Sequence, residues 1–187
     1  IARPSRHWGV LPEHCRTHLA ENADEIEWVK RLFPKAKNYL DVYDQSDLLS
    51  RRSVFAHGVH LHNDECKRLA DTGSAIAFCP SSNLFLGSGL FDLKQAETFD
   101  VNVGLGTDIG AGTSFSLLTN MNEAYKIQQL KGDQLSPFKS FYLATLGGAN
   151  ALDLADKIGN FEVGKEADFI VLDYQSSPLL KRRIEHC

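Results

Sequence analysis

Cysteine is scarce in this 187-residue chain: Cys15, Cys66, Cys79 and Cys187 are the only four, and no two of them form a CxxC pair. That spacing excludes a disulfide framework and a paired-thiolate metal site. It reads as buried or incidental thiols in a reducing compartment. Long apolar runs are also missing. No stretch approaches the roughly 18 residues of a membrane helix, and none has the layout of a secretory signal. The expectation is a cytoplasmic protein without a membrane partner. Basic charge is not in excess, with 20 Lys and Arg against 24 Asp and Glu and a net charge of −4. The one basic cluster is Lys181-Arg182-Arg183, and this balance argues against nucleic acid as a partner. Methionine is reduced to Met121 and the chain begins at Ile1, as expected of a piece of a longer protein.

What is present describes an ordinary globular chain, 43% hydrophobic and 24% charged, long enough for one domain with a sizeable core. Residues 1–14, with Pro4 and Pro12, show no period and read as an irregular lead-in. From there to residue 150 a strand-then-helix pattern repeats four times. Cys15 to Leu19 is a short strand, followed by a helix from Asp24 to Phe33 with Ile26, Val29 and Phe33 on one face and Pro34 as its stop. A shorter helical region covers Tyr39 to Leu49. Ser53 to Gly58 is the second strand, followed by a helix capped by Asn63 and ended by Gly73. Ala75 to Pro80 is the third strand; Ser81-Ser82-Asn83 reads as loop, with a helix near Phe91 to Phe99. Val101 to Thr107 is the fourth strand, before a helix from Phe115 to Leu130.

Strands that are apolar throughout suit a parallel sheet covered on both faces. The fold class is therefore α/β. The last sixty or so residues break the rhythm: helical pattern at Pro137 to Leu146 and Ala149 to Leu152 gives way, within residues 151–187, to a turn-rich hairpin and a strand at Phe169 to Asp173. A full (β/α)8 barrel typically needs about 250 residues. Four units supply half of one, with two open strand edges.

Three of the strands end on a polar residue. His18 closes the first, with Glu21 three residues on; His57 closes the second; Asp108 follows the fourth, ahead of a glycine-rich turn from Gly110 to Gly112. Each alone has a plain structural explanation. Asp108 suits a helix N-cap, Glu21 a solvated first turn, and the histidines hydrogen-bonding positions. His60 and His62 sit in a polar turn and read as solvated. Taken together, two imidazoles and two carboxylates at the carboxyl ends of parallel strands lie where a barrel does its chemistry. Imidazole and carboxylate suit zinc or iron(II), and a metal makes hydroxide available near neutral pH.

The runs Thr17-His18-Leu19-Ala20-Glu21-Asn22, Phe55-Ala56-His57-Gly58, Phe78-Cys79-Pro80-Ser81-Ser82-Asn83 and Gly106-Thr107-Asp108 come in the order of the later signatures of the amidohydrolase superfamily, which the chain resembles. Within it the resemblance is greatest to the guanine deaminase family. It rests on His18 through Asn22 followed by Glu25-Ile26, on Asn83 through Gly89, and on Gly110 through Ser116, while the stretch from Gly159 to Phe169 resembles the superfamily's closing motif. The resemblance implies the C-terminal half of a TIM-like (β/α)8 metal-dependent hydrolase barrel, with residues 151–187 joining a small β domain. It implies zinc held by His18 and Asp108, iron being the alternative metal. Glu21 would protonate the purine ring and relay protons, His57 would hydrogen-bond the attacking hydroxide, and Asp108 would accept the water's proton. His18, Glu21 and Asp108 would also touch the substrate, guanine, which would become xanthine and ammonia. A homodimer is implied as well.

The family's first-strand His-x-His has no counterpart here, and neither has its purine-reading arginine, since Arg3 and Arg6 lie too close to His18. The chain is accordingly expected to need the N-terminal half of the barrel and to be inactive alone. Two other readings stay open: another amidohydrolase deaminase or chlorohydrolase of a purine-like ring, and a non-catalytic half-barrel module.

Overall fold

The computed structural model describes residues 15–173 and residue 178. Four strands, β1 (Cys15–Leu19), β2 (Ser53–His57), β3 (Ala75–Phe78) and β4 (Asn102–Leu105), form one sheet in the order β1-β2-β3-β4. Every pairing is parallel, with Leu19 opposite His57 and Phe78 opposite Leu105. Because every pairing is parallel, all the strand carboxyl ends point the same way. The loops that follow them share one rim.

Eight helices fill the connections among the described residues: α1 (Ala23–Leu32), α2 (Tyr39–Asp44), α3 (Asn63–Thr72), α4 (Pro80–Phe85), α5 (Leu93–Thr98), α6 (Leu117–Leu130), α7 (Pro137–Ala144) and α8 (Leu146–Ala151). The apolar spacing that marks α3 buries Cys66 and Leu69. Gly73 ends that helix at φ 69°, a left-handed conformation that costs glycine little. The core lies between the sheet and these helices. Phe55, Ile76 and Phe78 from the strands meet Leu69, Phe91, Ile127 and Leu143, all essentially sealed from solvent. Full burial of one such side chain stabilises by about 1.5–3 kcal/mol.

Local signals differ from the sequence expectations at several points. Ser81-Ser82-Asn83, expected as loop, lies in helix α4, which Pro80 opens at its first turn, where proline's fixed φ suits the helix and no donor is lost. The N-cap of α3 is His62, not Asn63. Its backbone N–H donates to the Glu65 carboxylate at 3.0 Å, so the first turn is held from N3. Phe33 falls one residue past α1 and stays about half exposed, so only Ile26 and Val29 of its expected face turn inward. Strand β1 is not apolar throughout: Arg16 and His18 are exposed while Leu19 is buried, as suits an edge strand. The expected hairpin and strand over 158–173 are absent among the described residues. Phe169, Ile170 and Val171 are exposed, with no neighbouring strand to complete a ladder. The part of 151–187 beyond residue 173, including Lys181-Arg182-Arg183 and Cys187, lies outside the described residues apart from Pro178, as does the lead-in over 1–14.

Glu65 is a buried carboxylate that accepts the N–H groups of His62 and, at 3.3 Å, of Leu40, tying α2 to α3. Burial pushes its carboxyl above the ordinary value of 4.5, against the lowering effect of those two N–H groups. The native state therefore keeps this proton to a higher pH than the unfolded chain does. The group's contribution to stability declines as pH rises from about 4.5 through the raised native value, and is level above it. Glu65→Gln should remove that slope. Urea unfolding across about pH 4 to 7 checks it, and an unchanged slope would refute the assignment.

Candidate active site

The four sequence-selected residues lie on the shared rim. His18 is the penultimate residue of β1 and Glu21 follows two residues after its end. Between them Ala20 adopts φ 47°, turning the chain sharply so that Glu21 comes back over the strand end. His57 ends β2 at φ 75°, and Asp108 sits at φ 45° three residues past β4. Non-glycine residues with positive φ carry about 1–3 kcal/mol of strain and cluster at functional sites. Here two of them bear the side chains in question.

The structure brings these groups together. The Glu21 Oε2 atom lies 3.7 Å from His18 Nδ1 and 3.7 Å from His57 Nε2. Asp108 Oδ2 is 3.9 Å from the same His57 nitrogen. The two imidazoles meet edge to face, with centroids 4.7 Å apart. Exposure is graded: His57 is fully buried, the Glu21 side chain is 11% exposed, Asp108 26% and His18 57%. Asp108 is no helix cap, since α6 begins at Leu117 and its N-cap is Ser116. His60 and His62 stay exposed as expected, although a ring nitrogen of His60 reaches the Ser88 carbonyl at 2.8 Å.

Several residues with no assigned role surround the cluster. His57 Nδ1 is 2.8 Å from Asn83 Oδ1, the Ser82 hydroxyl donates to Asp108 Oδ2 at 2.7 Å, and the Ser88 hydroxyl donates to Glu21 Oε1 at 3.2 Å. On the other side, the Glu25 carboxylate accepts the Glu21 N–H and the Tyr39 hydroxyl, each at 2.9 Å. The Tyr43 hydroxyl donates to the His18 carbonyl at 2.9 Å. Burial, and then the hydrogen bonds with Tyr43 and Glu25, push the Tyr39 phenol well above its ordinary range, so it stays a donor. Cys79, beneath Asp108, is buried, and desolvation with the nearby carboxylates pushes its thiol up to about 12, so it is an inert neighbour. The sequence signal for these residues was the run Ser82-Asn83 through Ser88 and the pair Glu25-Ile26. Their partners, 26 to 67 residues away for the run, are not legible from spacing.

A test of fit for a metal comes from His57. Its Nε2 has no hydrogen-bond partner although it is buried, and it faces two carboxylates. A buried polar atom left unsatisfied costs about 1–3 kcal/mol, so a further group belongs there. His18, Glu21 and His57 each offer one ligand atom, all within 4.8 Å of one another, a spacing that fits a cation with nitrogen and oxygen donors.

Parallel β/α units in chain order, with imidazoles and carboxylates gathered on the carboxyl rim, place the chain in the class of β/α-barrel proteins that carry a polar site at the strand ends. The chain belongs to the amidohydrolase family, which it matches over residues 14–185. It is 58% identical over 170 residues to the guanine deaminase of Escherichia coli strain K12, covering 91% of this chain and 39% of that one. The solved E. coli guanine deaminase superposes with a TM-score of 0.91 at 56% identity, over 93% of this chain and 40% of that one. A guanine deaminase from C. acetobutylicum, with guanine bound in its active site, gives 0.74 at 35% identity over 80% and 37%. An adenosine deaminase from Xanthomonas campestris with bound zinc gives 0.77 at 30% identity over 83% and 36%. The chain thus spans about two fifths of the length of the relatives it matches. Its four-stranded sheet is part of a TIM-like barrel. Among the described residues no helix is long and apolar enough to cross a membrane.

Proposed function

We propose that this chain supplies the C-terminal half of a zinc-dependent (β/α)8 barrel that hydrolyses guanine to xanthine and ammonia. The observation that carries the reading is the unpartnered, buried His57 Nε2 aimed between the carboxylates of Glu21 and Asp108. Identity of 58% to a guanine deaminase supports guanine as the ring.

In this reading His18 and Asp108 hold the metal. Zinc, when bound there, would lower the pKa of a water to about 7 and polarise the bond under attack. His57 Nε2 accepts or donates the hydrogen bond that orients the attacking water. Asp108 takes that water's proton. Glu21, whose carboxylate faces the same His57 nitrogen as that of Asp108, gives a proton to the ring nitrogen beside the amino-bearing carbon. The carbon–oxygen bond forms; the proton held by Asp108 passes to the amine, the added hydroxyl returns its proton to Glu21 as the new carbonyl forms, and the carbon–nitrogen bond breaks to release ammonia. General acid–base steps of this kind typically contribute about 10²–10⁴-fold each.

The same proposal includes the need for the other barrel strands. β1 and β4 are both sheet edges here, and His18 and Asp108 fall short of the three protein ligands usual for catalytic zinc. A homodimeric, cytoplasmic enzyme with a small-molecule substrate belongs to it too. The test is a panel of guanine, adenosine and a chlorotriazine on the full-length protein, before and after chelation and zinc readdition. Zinc-restored conversion of guanine alone is expected. Conversion of another ring in its place would assign a different amidohydrolase activity, and binding without turnover would leave a non-catalytic module.

A further inference from the structure

Helix α4 and the turn after it touch three of the four rim residues, each through a different side chain. Asn83 meets His57 at 2.8 Å, Ser82 donates to Asp108 at 2.7 Å, and Ser88 donates to Glu21 at 3.2 Å. Ser82 and Asn83 are wholly buried and Ser88 nearly so. The helix is itself anchored: Ser81 donates to Asn120 Oδ1 of α6 at 2.8 Å, and Asn120 in turn donates to the Ser116 carbonyl at 3.1 Å. Ser88 is fixed by the backbone bond of its N–H to the Asn83 carbonyl and by the His60 ring on its own carbonyl. Nothing in the proposed chemistry requires a helix at this point. A loop would close the distance between β3 and α5 as well.

We propose that α4 and its following turn are a positioning template, with Asn83 fixing the ring of His57, Ser82 fixing the Asp108 carboxylate, and Ser88 fixing Glu21. An amide oxygen only accepts, so the proton of the contact sits on His57 Nδ1. The Nε2 atom is thereby turned toward the Glu21 and Asp108 carboxylates, without a hydrogen-bond partner of its own. Ser82 donates to Asp108 Oδ2, the oxygen that also faces His57 Nε2, which sets the plane of the carboxylate and leaves the other oxygen for a ligand. None of the three template residues touches substrate in this role; each acts through its partner. The inference rests on the deaminase reading for its kinetic consequence, but not for its spectroscopic one.

The decisive readout is the ¹⁵N NMR signature of the His57 ring in the full-length protein, compared among wild type, Asn83→Leu and Asn83→Asp. Wild type and Asn83→Asp should both carry Nδ1–H, because a carboxylate oxygen accepts as the amide does. Asn83→Leu, similar in volume but without an acceptor, should lose that preference. Turnover of guanine should fall about 10- to 100-fold in kcat with KM little changed, the scale for residues that orient ligands, and Asn83→Asp should recover part of it. Ser82→Ala should weaken zinc binding by a similar factor in a competition titration. A folded Asn83→Leu protein that keeps Nδ1–H and wild-type kcat overturns the proposal. If that variant fails to fold, Nε2–H in Asn83→Asp, or unchanged zinc affinity in Ser82→Ala, overturns it instead. A wild-type protein that neither binds zinc nor converts guanine removes the proposed function, while the His57 tautomer still decides this proposal.

Discussion

Asp108→Asn in the full-length protein should lower kcat/KM for guanine by at least about a thousandfold, while leaving the fold intact. The substitution is nearly isosteric, and the Ser82 hydroxyl can still donate to the amide oxygen that replaces Oδ2. What goes is the charge. An amide neither takes a proton from the attacking water nor holds a cation as a carboxylate does, so one change removes two proposed roles. The side chain is about a quarter exposed and its backbone already sits at φ 45°, which asparagine tolerates as readily as aspartate. Steady-state rates, metal content and melting temperature measured together separate the outcomes. Activity within tenfold of wild type would dismiss Asp108 from both roles. A large loss of melting temperature would assign it a structural one.

Gly104→Val is expected to cost about 3 kcal/mol or more of stability, through overpacking that the site cannot relieve. Gly104 is buried in β4, and a Cβ placed there would lie 2.8 Å from Gly148 Cα and 3.3 Å from its nitrogen. Real Cβ atoms do not approach so closely, and the obstacle is helix backbone rather than the tip of a flexible side chain. Helix α8 would have to back away from β4. Gly147 beside it is as confined, with a Cβ there falling 2.9 Å from the Tyr142 carbonyl and 3.1 Å from that of Val103. Because β4 leads directly to Asp108, retreat of α8 should loosen the rim as well. Urea titration gives the loss, and Gly104→Ala should give a smaller one. A valine variant with the wild-type midpoint would mean that α8 is not seated on this glycine.

The strands and their order were legible because short apolar runs ending on a polar residue are a local signal, and so was the grouping of His18, Glu21, His57 and Asp108. Helix α4 was not. Serine and asparagine disfavour helices because their side chains compete for nearby backbone groups. In Ser81, Ser82 and Asn83 those side chains are engaged elsewhere, by Asn120, Asp108 and His57, so the competition is absent. That engagement is tertiary and leaves no trace in spacing. The reverse holds at Phe169-Ile170-Val171, where a β-favouring run meets no partner strand among the described residues, since strand propensity expresses itself through neighbours. Phe33 was over-read because helical period continues past the residue at which the chain leaves the helix.

The coincidence of sheet order with chain order has a consequence for synthesis. Both His57–Asn83 and Ser82–Asp108 span 26 residues, and Ser88–Glu21, the longest of the three template contacts, spans 67. At about 5–20 residues per second, the second partner of each short pair leaves the ribosome about 1–5 s after the first. Every rim contact therefore looks backward to chain already made. The cluster can be laid down unit by unit as translation proceeds, and a pause between β2 and β4 delays its completion.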